Sequence, residues 1–128
     1  NLETAIRKMI ADVETMANTK VTFDCKVANL KFGADEEDTI YRVIQESLTN
    51  AIRHGKATHI WVNMESVEGE IILTIKDNGI GCPVMNQGFG TRHIVERIQM
   101  LHGNVEFDGS NGFTVTARIP IRWGEEYD

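Results

Sequence analysis

Glu46-Ser47-Leu48-Thr49-Asn50-Ala51-Ile52-Arg53-His54 is the stretch that decides how this chain reads. On a helix turning about 100° per residue, Ile40, Val43, Ile44, Leu48 and Ile52 share one broad face, which must be the core side. Glu46, Asn50 and Arg53 share another, at i, i+4 and i+7. A carboxylate, a carboxamide and a guanidinium one turn apart can serve nothing more than a solvated face. The elements downstream give the stripe its interest. An apolar strand ends in Asp77-Asn78-Gly79-Ile80-Gly81, and Gly88-Phe89-Gly90 then opens another helix. Three polar or glycine-rich elements in this order suggest a nucleotide site.

Outward from these elements, the rest of the chain supplies helices and hairpins. Leu2, Ile6, Met9, Ile10, Val13 and Ala17 recur at helical spacing, so residues 2–17 are expected to form an amphipathic helix. Val21, Phe23, Cys25 and Val27 alternate with polar neighbours, the period of a half-buried strand. Residues 29–34 connect to the central helix, which Asp35 can cap, with Asp38 in the first turn. That helix should run to about His54 and stop at Gly55. Residues 58–65 and 70–76 alternate again around the turn-like Val67-Glu68-Gly69 and read as a hairpin. After the irregular, glycine-rich residues 78–90, helical period returns from Thr91 to Leu101. A second hairpin follows, 104–108 and 113–119, turned at Gly109-Ser110-Asn111-Gly112.

The order α-β-α-β-β-α-β-β predicts a two-layer α/β sandwich, in which a mixed, largely antiparallel five-stranded sheet carries three helices on one face. It is not the alternating pattern of a doubly wound dinucleotide fold, and no Gly-Lys-Ser/Thr signals a P-loop. At 128 residues the chain fits one domain, and 41% hydrophobic with 25% charged residues argues against disorder. A net charge of −6 argues against a nucleic-acid partner, although an acidic domain can bind polyphosphate through a divalent cation. Cys25 and Cys82 lack metal-ligand spacing and imply no disulfide, so a cytoplasmic setting is the simpler expectation.

Each element has a chemical reading beside its plain one. Asp77, at the exit of its strand, accepts hydrogen bonds only, which suits the adenine amino group and repels the guanine carbonyl. Gly79 and Gly81 let the backbone approach a flat base, but Asp-Asn-Gly is also a common turn. Gly88 and Gly90 lead into a helix N-terminus at Thr91, where free N–H groups can meet phosphate; a plain hinge is the alternative. Asn50 offers a neutral oxygen to Mg²⁺, and Glu46 can orient or deprotonate an attacking group. Arg53 pairs with phosphate or extends into water.

Together the motifs resemble the histidine-kinase-like ATPases, the Bergerat-fold superfamily. Glu46 to His54 looks like its N box, Asp77 to Gly81 its first glycine box, and Gly88 to Gly90 its second. The resemblance spans essentially the whole chain. Tyr41-Arg42-Val43-Ile44-Gln45-Glu46, the short interval from Gly81 to Gly88, and Glu96-Arg97-Ile98 resemble the sensor kinases that partner NarL-type response regulators. Thr91 stands where the family usually has Leu. The resemblance implies Asn50 for Mg²⁺, Asp77 for adenine, and the glycines for lid and phosphate; Thr91, at the helix N-terminus, is expected beside them as a nucleotide-binding residue. It implies ATP and Mg²⁺ as cofactors, and an enzyme that passes the γ-phosphoryl group to a histidine on a separate dimerisation domain. The full-length kinase is then expected to be a homodimer anchored at the membrane, with this domain cytoplasmic.

The chain starts at Asn1 without Met, which favours a fragment of such a kinase over a free-standing anti-sigma-factor serine kinase of the same fold. A nucleotide-dependent interaction module without phosphotransfer is a third class, and Glu46 argues against it. His54 ends the helix bearing Glu46 and Asn50, so it is not expected to be the phosphoacceptor. His59, His93 and His102 read as structural, with no acidic neighbour.

Overall fold

A computed structural model describes residues 1–27, 32–81 and 91–121. Gly88 and Gly90 of the second glycine box, Cys82, residues 28–31 before the central helix, and the polar tail from 122 lie outside the described residues. The elements are α1 (Leu2–Ala17), β1 (Lys20–Cys25), α2 (Ala34–Arg53), β2 (His59–Val67), β3 (Glu70–Asp77), α3 (Thr91–Met100), β4 (Asn104–Asp108) and β5 (Phe113–Pro120). The five strands lie in the order β1-β2-β3-β5-β4. Only the β1–β2 pair is parallel; the other three pairs are antiparallel.

Register explains why one face of this sheet is apolar. Phe23, Val62, Ile75, Val115 and Phe107 stand side by side across all five strands. Cys25, Met64, Leu73, Ala117 and Val105 form the neighbouring row. Because side chains alternate along a strand, these residues all face the helices, which close over them with Ile6, Ile40, Ile44, Leu48, Ile94 and Ile98 fully buried. Each such side chain contributes roughly 1.5–3 kcal/mol of transfer free energy. The expected two-layer sandwich is thus formed, with α1 against β1, α2 against β2 and β3, and α3 against β4 and β5.

One local detail departs from the sequence reading, at the start of α2. Asp35 does not cap α2: Gly33 is the N-cap, and Asp35, Glu36 and Glu37 all lie inside the first turn. Three carboxylates beside the free N–H groups supply electrostatically what a capping side chain would. The hairpin turn between β2 and β3 falls at Glu68-Gly69 as expected, with φ of 49° and 82°, and Asp77-Asn78-Gly79 does not join two paired strands. The edge strand β1 is blunted by α1, since Glu14 accepts a hydrogen bond from the Val21 N–H (2.9 Å) and Arg7 lies over the Phe23 ring.

Candidate functional site

The third row on the helix-facing side reads Val21, Ile60, Asp77, Phe113. Asp77 continues the inward series Ile71, Leu73, Ile75 and so lands among apolar neighbours, only 4% exposed. Its Oδ1 accepts a hydrogen bond from the Gly79 N–H (2.7 Å), and the Phe113 N–H also donates to the carboxylate. Burial pushes the carboxyl above the usual carboxylate range, and the two backbone donors pull it back.

Residues 78–81, beyond Asp77, are fixed by their neighbours. Asn78 Oδ1 accepts from the Thr58 and His59 N–H groups (2.9 and 3.0 Å), while its Nδ2 donates to Thr58 Oγ1. The Ile80 N–H donates to the Gly55 carbonyl at the end of α2 (2.8 Å). A Cβ on Gly79 would overlap that same carbonyl, and one on Gly112 would overlap the Asp77 carbonyl oxygen. Gly81 and Gly112 also take positive φ, 73° and 66°, where L side chains are strained.

This packing frames a small cleft lined by Asn50, Ala51, His54, Gly55, Asp77, Gly81 and Phe113. Asp77 is the buried acceptor at its base. A second, wider hollow shares Asn50 and adds Gln45, Glu46, Thr49 and His93. Asn50 therefore stands between the two, with a carboxylate one turn away on α2.

The predicted residues separate into groups. Asp77, Gly81 and Asn50 meet in the first cleft, and Glu46 joins Asn50 in the second. Gly79 packs against Gly55 and supports the cleft from behind. Arg53 is exposed on the last turn of α2 and lines neither hollow; Thr91 opens α3 with its side chain buried. Sequence reasoning missed His54, Gly55 and Phe113 as lining residues. Phe113 had a signal, because it shares the parity of Val115, Ala117 and Ile119.

The histidines require correction. His59 stacks on Trp61 (centroids 4.0 Å) and meets Thr22 Oγ1, so it belongs to the sheet's outer face. His102 is exposed at the end of α3 with φ 62°. His93 is exposed too, and it does have an acidic neighbour: its Nδ1 lies 3.8 Å from Glu46 Oε1. The other oxygen of Glu46 is buried without a hydrogen-bond partner among the described residues.

A divalent cation would find little to bind here by itself. Among the described residues no cluster of three His, Cys, Asp or Glu could hold a metal. The donor set fits Mg²⁺ only as a companion of polyphosphate, with Asn50 giving one oxygen and phosphates and water the rest.

Comparison with known proteins agrees with this fold. The family described as histidine kinase-, DNA gyrase B-, and HSP90-like ATPase matches residues 35–122. An uncharacterized sensor-like histidine kinase of Chloroflexus aurantiacus is 31% identical over 116 residues, which is 81% of this chain and 19% of that protein. The nitrate/nitrite sensor protein NarQ of Escherichia coli is 29% identical over 98% of this chain and 23% of its own length. The chain thus spans about a quarter or less of these two relatives. Among solved structures, the histidine kinase domain of a blue-light activated kinase from Erythrobacter litoralis superposes with a TM-score of 0.78 at 18% identity, covering 98% of this chain and 63% of that one. The ATP-binding domain of PrrB from Mycobacterium tuberculosis gives 0.71 at 17% identity, covering 92% of each. At these identities the structures speak for the fold.

Proposed function

The chain belongs to the family of histidine kinase-, DNA gyrase B-, and HSP90-like ATPases, and from that premise we propose that it is the ATP-binding catalytic domain of a two-component sensor histidine kinase. The observation that carries the reading is the shared position of Asn50, which lines a slot ending in buried Asp77 on one side and a hollow holding Glu46 on the other. A base in the slot and a triphosphate in the hollow fit one nucleotide lying across α2.

Asp77 accepts a hydrogen bond from the adenine amino group, and the Gly79 and Phe113 N–H groups hold the carboxylate in place for it. Asn50 would hold Mg²⁺ through its side-chain oxygen, and the ion would supply positive charge to offset that of the phosphates. The glycines of the two boxes, with the backbone N–H of Thr91, serve the phosphates and the segment that covers them; Arg53 lines neither hollow and extends into water in this reading. Glu46 is the general base. As the acceptor imidazole nitrogen bonds to the γ-phosphorus, the bond from that phosphorus to the ADP oxygen breaks and its electron pair leaves with ADP. The proton displaced from the acceptor ring goes to the Glu46 carboxylate.

The acceptor histidine lies on the dimerisation domain of the same kinase, a homodimer, and a NarL-type regulator receives the phosphoryl group. The NarL-type partner follows from the resemblance in Tyr41 to Glu46 and Glu96-Arg97-Ile98. Among the described residues no helix is long and apolar enough to cross a membrane; we place this domain on the cytoplasmic side of an anchored protein. His54 caps α2 and lines the base slot, apart from the hollow with Glu46, which supports its exclusion as acceptor. Given radiolabelled ATP, the chain alone should bind nucleotide and acquire no acid-labile, base-stable label. Adding the dimerisation domain should label that partner. Stoichiometric phosphohistidine on this chain alone would reverse the assignment of roles.

A further inference from the structure

His93 is the one basic side chain within 4 Å of Glu46 among the described residues, although 47 positions separate them in the sequence. Their approach is built in by packing. Ile94 and Ile98 of α3 are fully buried in the core that α2 also enters, so the first turn of α3 is held beside the middle of α2. Neighbouring charges are engaged elsewhere: Arg92 pairs with Glu96 (3.3 Å), and Asp38 with Arg42 (3.2 Å) and Arg97 (3.8 Å). Glu46 has one buried oxygen without a partner among the described residues and one oxygen facing His93.

We propose that His93 is a positioning residue for Glu46, its Nδ1–H holding Oε1 so that the carboxylate is aimed at the proton of the incoming acceptor. The inference rests on the reading of Glu46 as general base. At 3.8 Å the two groups are just outside hydrogen-bond range, and such bonds are often long in nucleotide-free sites and tighten when the reacting groups assemble. A flexible Glu on a helix samples several rotamers. A base left to wander by an ångström loses much of its rate, with no change in how tightly substrate binds.

The test is made in the complete kinase at saturating Mg-ATP, with nucleotide affinity measured on the same proteins. His93→Ala should lower kcat for autophosphorylation about ten- to hundredfold, leaving the ATP Kd within about twofold of wild type. His93→Asn, which keeps a donor near the Nδ1 position, should recover most of the rate. In a Glu46→Gln background, His93→Ala should cause no further loss, because it acts through the group already removed. An unchanged kcat in His93→Ala, or losses that multiply in the double variant, would overturn the proposal. A Kd that rises in step with the loss of rate would overturn it in favour of a direct phosphate contact. Wild-type kinase that transfers nothing would instead discard the reading of the function. His93 is exposed, so its substitution is not expected to disturb folding, and His93→Asn provides an independent reading of the same contact.

Discussion

At the base end of the cleft, Asp77 is 4% exposed, receives two backbone N–H groups, and is walled by glycines whose Cβ positions are already occupied by carbonyls. At the end we assign to the phosphates, His93 has a side chain 71% exposed and meets Glu46 only at 3.8 Å. Among the described residues the first end is held by backbone contacts, and the second is formed by side chains on two helices. The contrast follows from what each must recognise. A base is flat and rigid, and a preformed slot binds it with little reorganisation. A triphosphate brings most of its own ligands, and an acceptor arriving from another domain needs an open approach. Substitutions at the two ends should therefore fail differently, in rate at one and in folding or selectivity at the other.

The largest effect is expected at the open end. Glu46→Gln keeps the shape of the side chain and removes the base, so phosphotransfer to the acceptor domain should fall about a hundredfold or more. Nucleotide affinity should stay near that of wild type. A single-turnover assay beside a titration separates the two, and a Glu46→Gln protein that transfers at the normal rate would place the base elsewhere.

The next effect belongs to the closed end and is read as stability. Gly112→Ala places a Cβ against the Asp77 carbonyl oxygen at φ 66°. The left-handed backbone costs about 1–2 kcal/mol for an L residue, and the overlap adds about 1–3 kcal/mol. Gly69 has a similar positive φ, 82°, but open space around it. Gly69→Ala should then show only the backbone part, about 1–2 kcal/mol. Denaturant unfolding of both variants isolates the packing of the base end as their difference. Equal losses would mean that the glycine wall yields without cost.

How much of this was legible in the chain divides along the same line. The closed end was written locally: Ile71, Leu73, Ile75 and Asp77 share one parity, so an inward carboxylate could be read from period 2 alone. α1 and β4 were likewise readable to the residue, because their apolar spacing is regular and their ends carry turn residues. What could not be read depends on packing between distant elements. That Gly112 abuts Asp77 follows from β5 inserting between β3 and β4, and no local pattern encodes strand order. That His93 meets Glu46 follows from how α3 lies on α2. The N-cap of α2 was misread because Asp35 is a good capping residue by type, yet the acidic first turn leaves the cap position to Gly33.

The smallest effect sharpens the comparison by titrating its closed end. Asp77→Asn should remove most of an ATP-over-GTP preference that is at least about tenfold in wild type, since an amide can serve either base. Acid should do part of the same to the wild-type protein. The Asp77 carboxyl is raised by burial, so just above the ordinary carboxylate value the folded protein binds more protons than the unfolded chain. Over that window stability falls as pH rises, and above it the charged group is a standing cost that a bound adenine amino group offsets. Below the raised value the protonated acid weakens as an acceptor for adenine and gains a donor for the guanine carbonyl. The ATP-to-GTP affinity ratio should thus narrow several-fold on acidification. Both nucleotides carry the same triphosphate, so titration of the phosphates and of residues around them cancels in the ratio. Calorimetry of the two nucleotides across that range is the measurement, with Asp77→Asn as the reference that carries the titration of the adenine ring itself. A wild-type ratio that does not move with pH would show that the carboxylate stays ionised in its slot, the backbone donors having outweighed its burial.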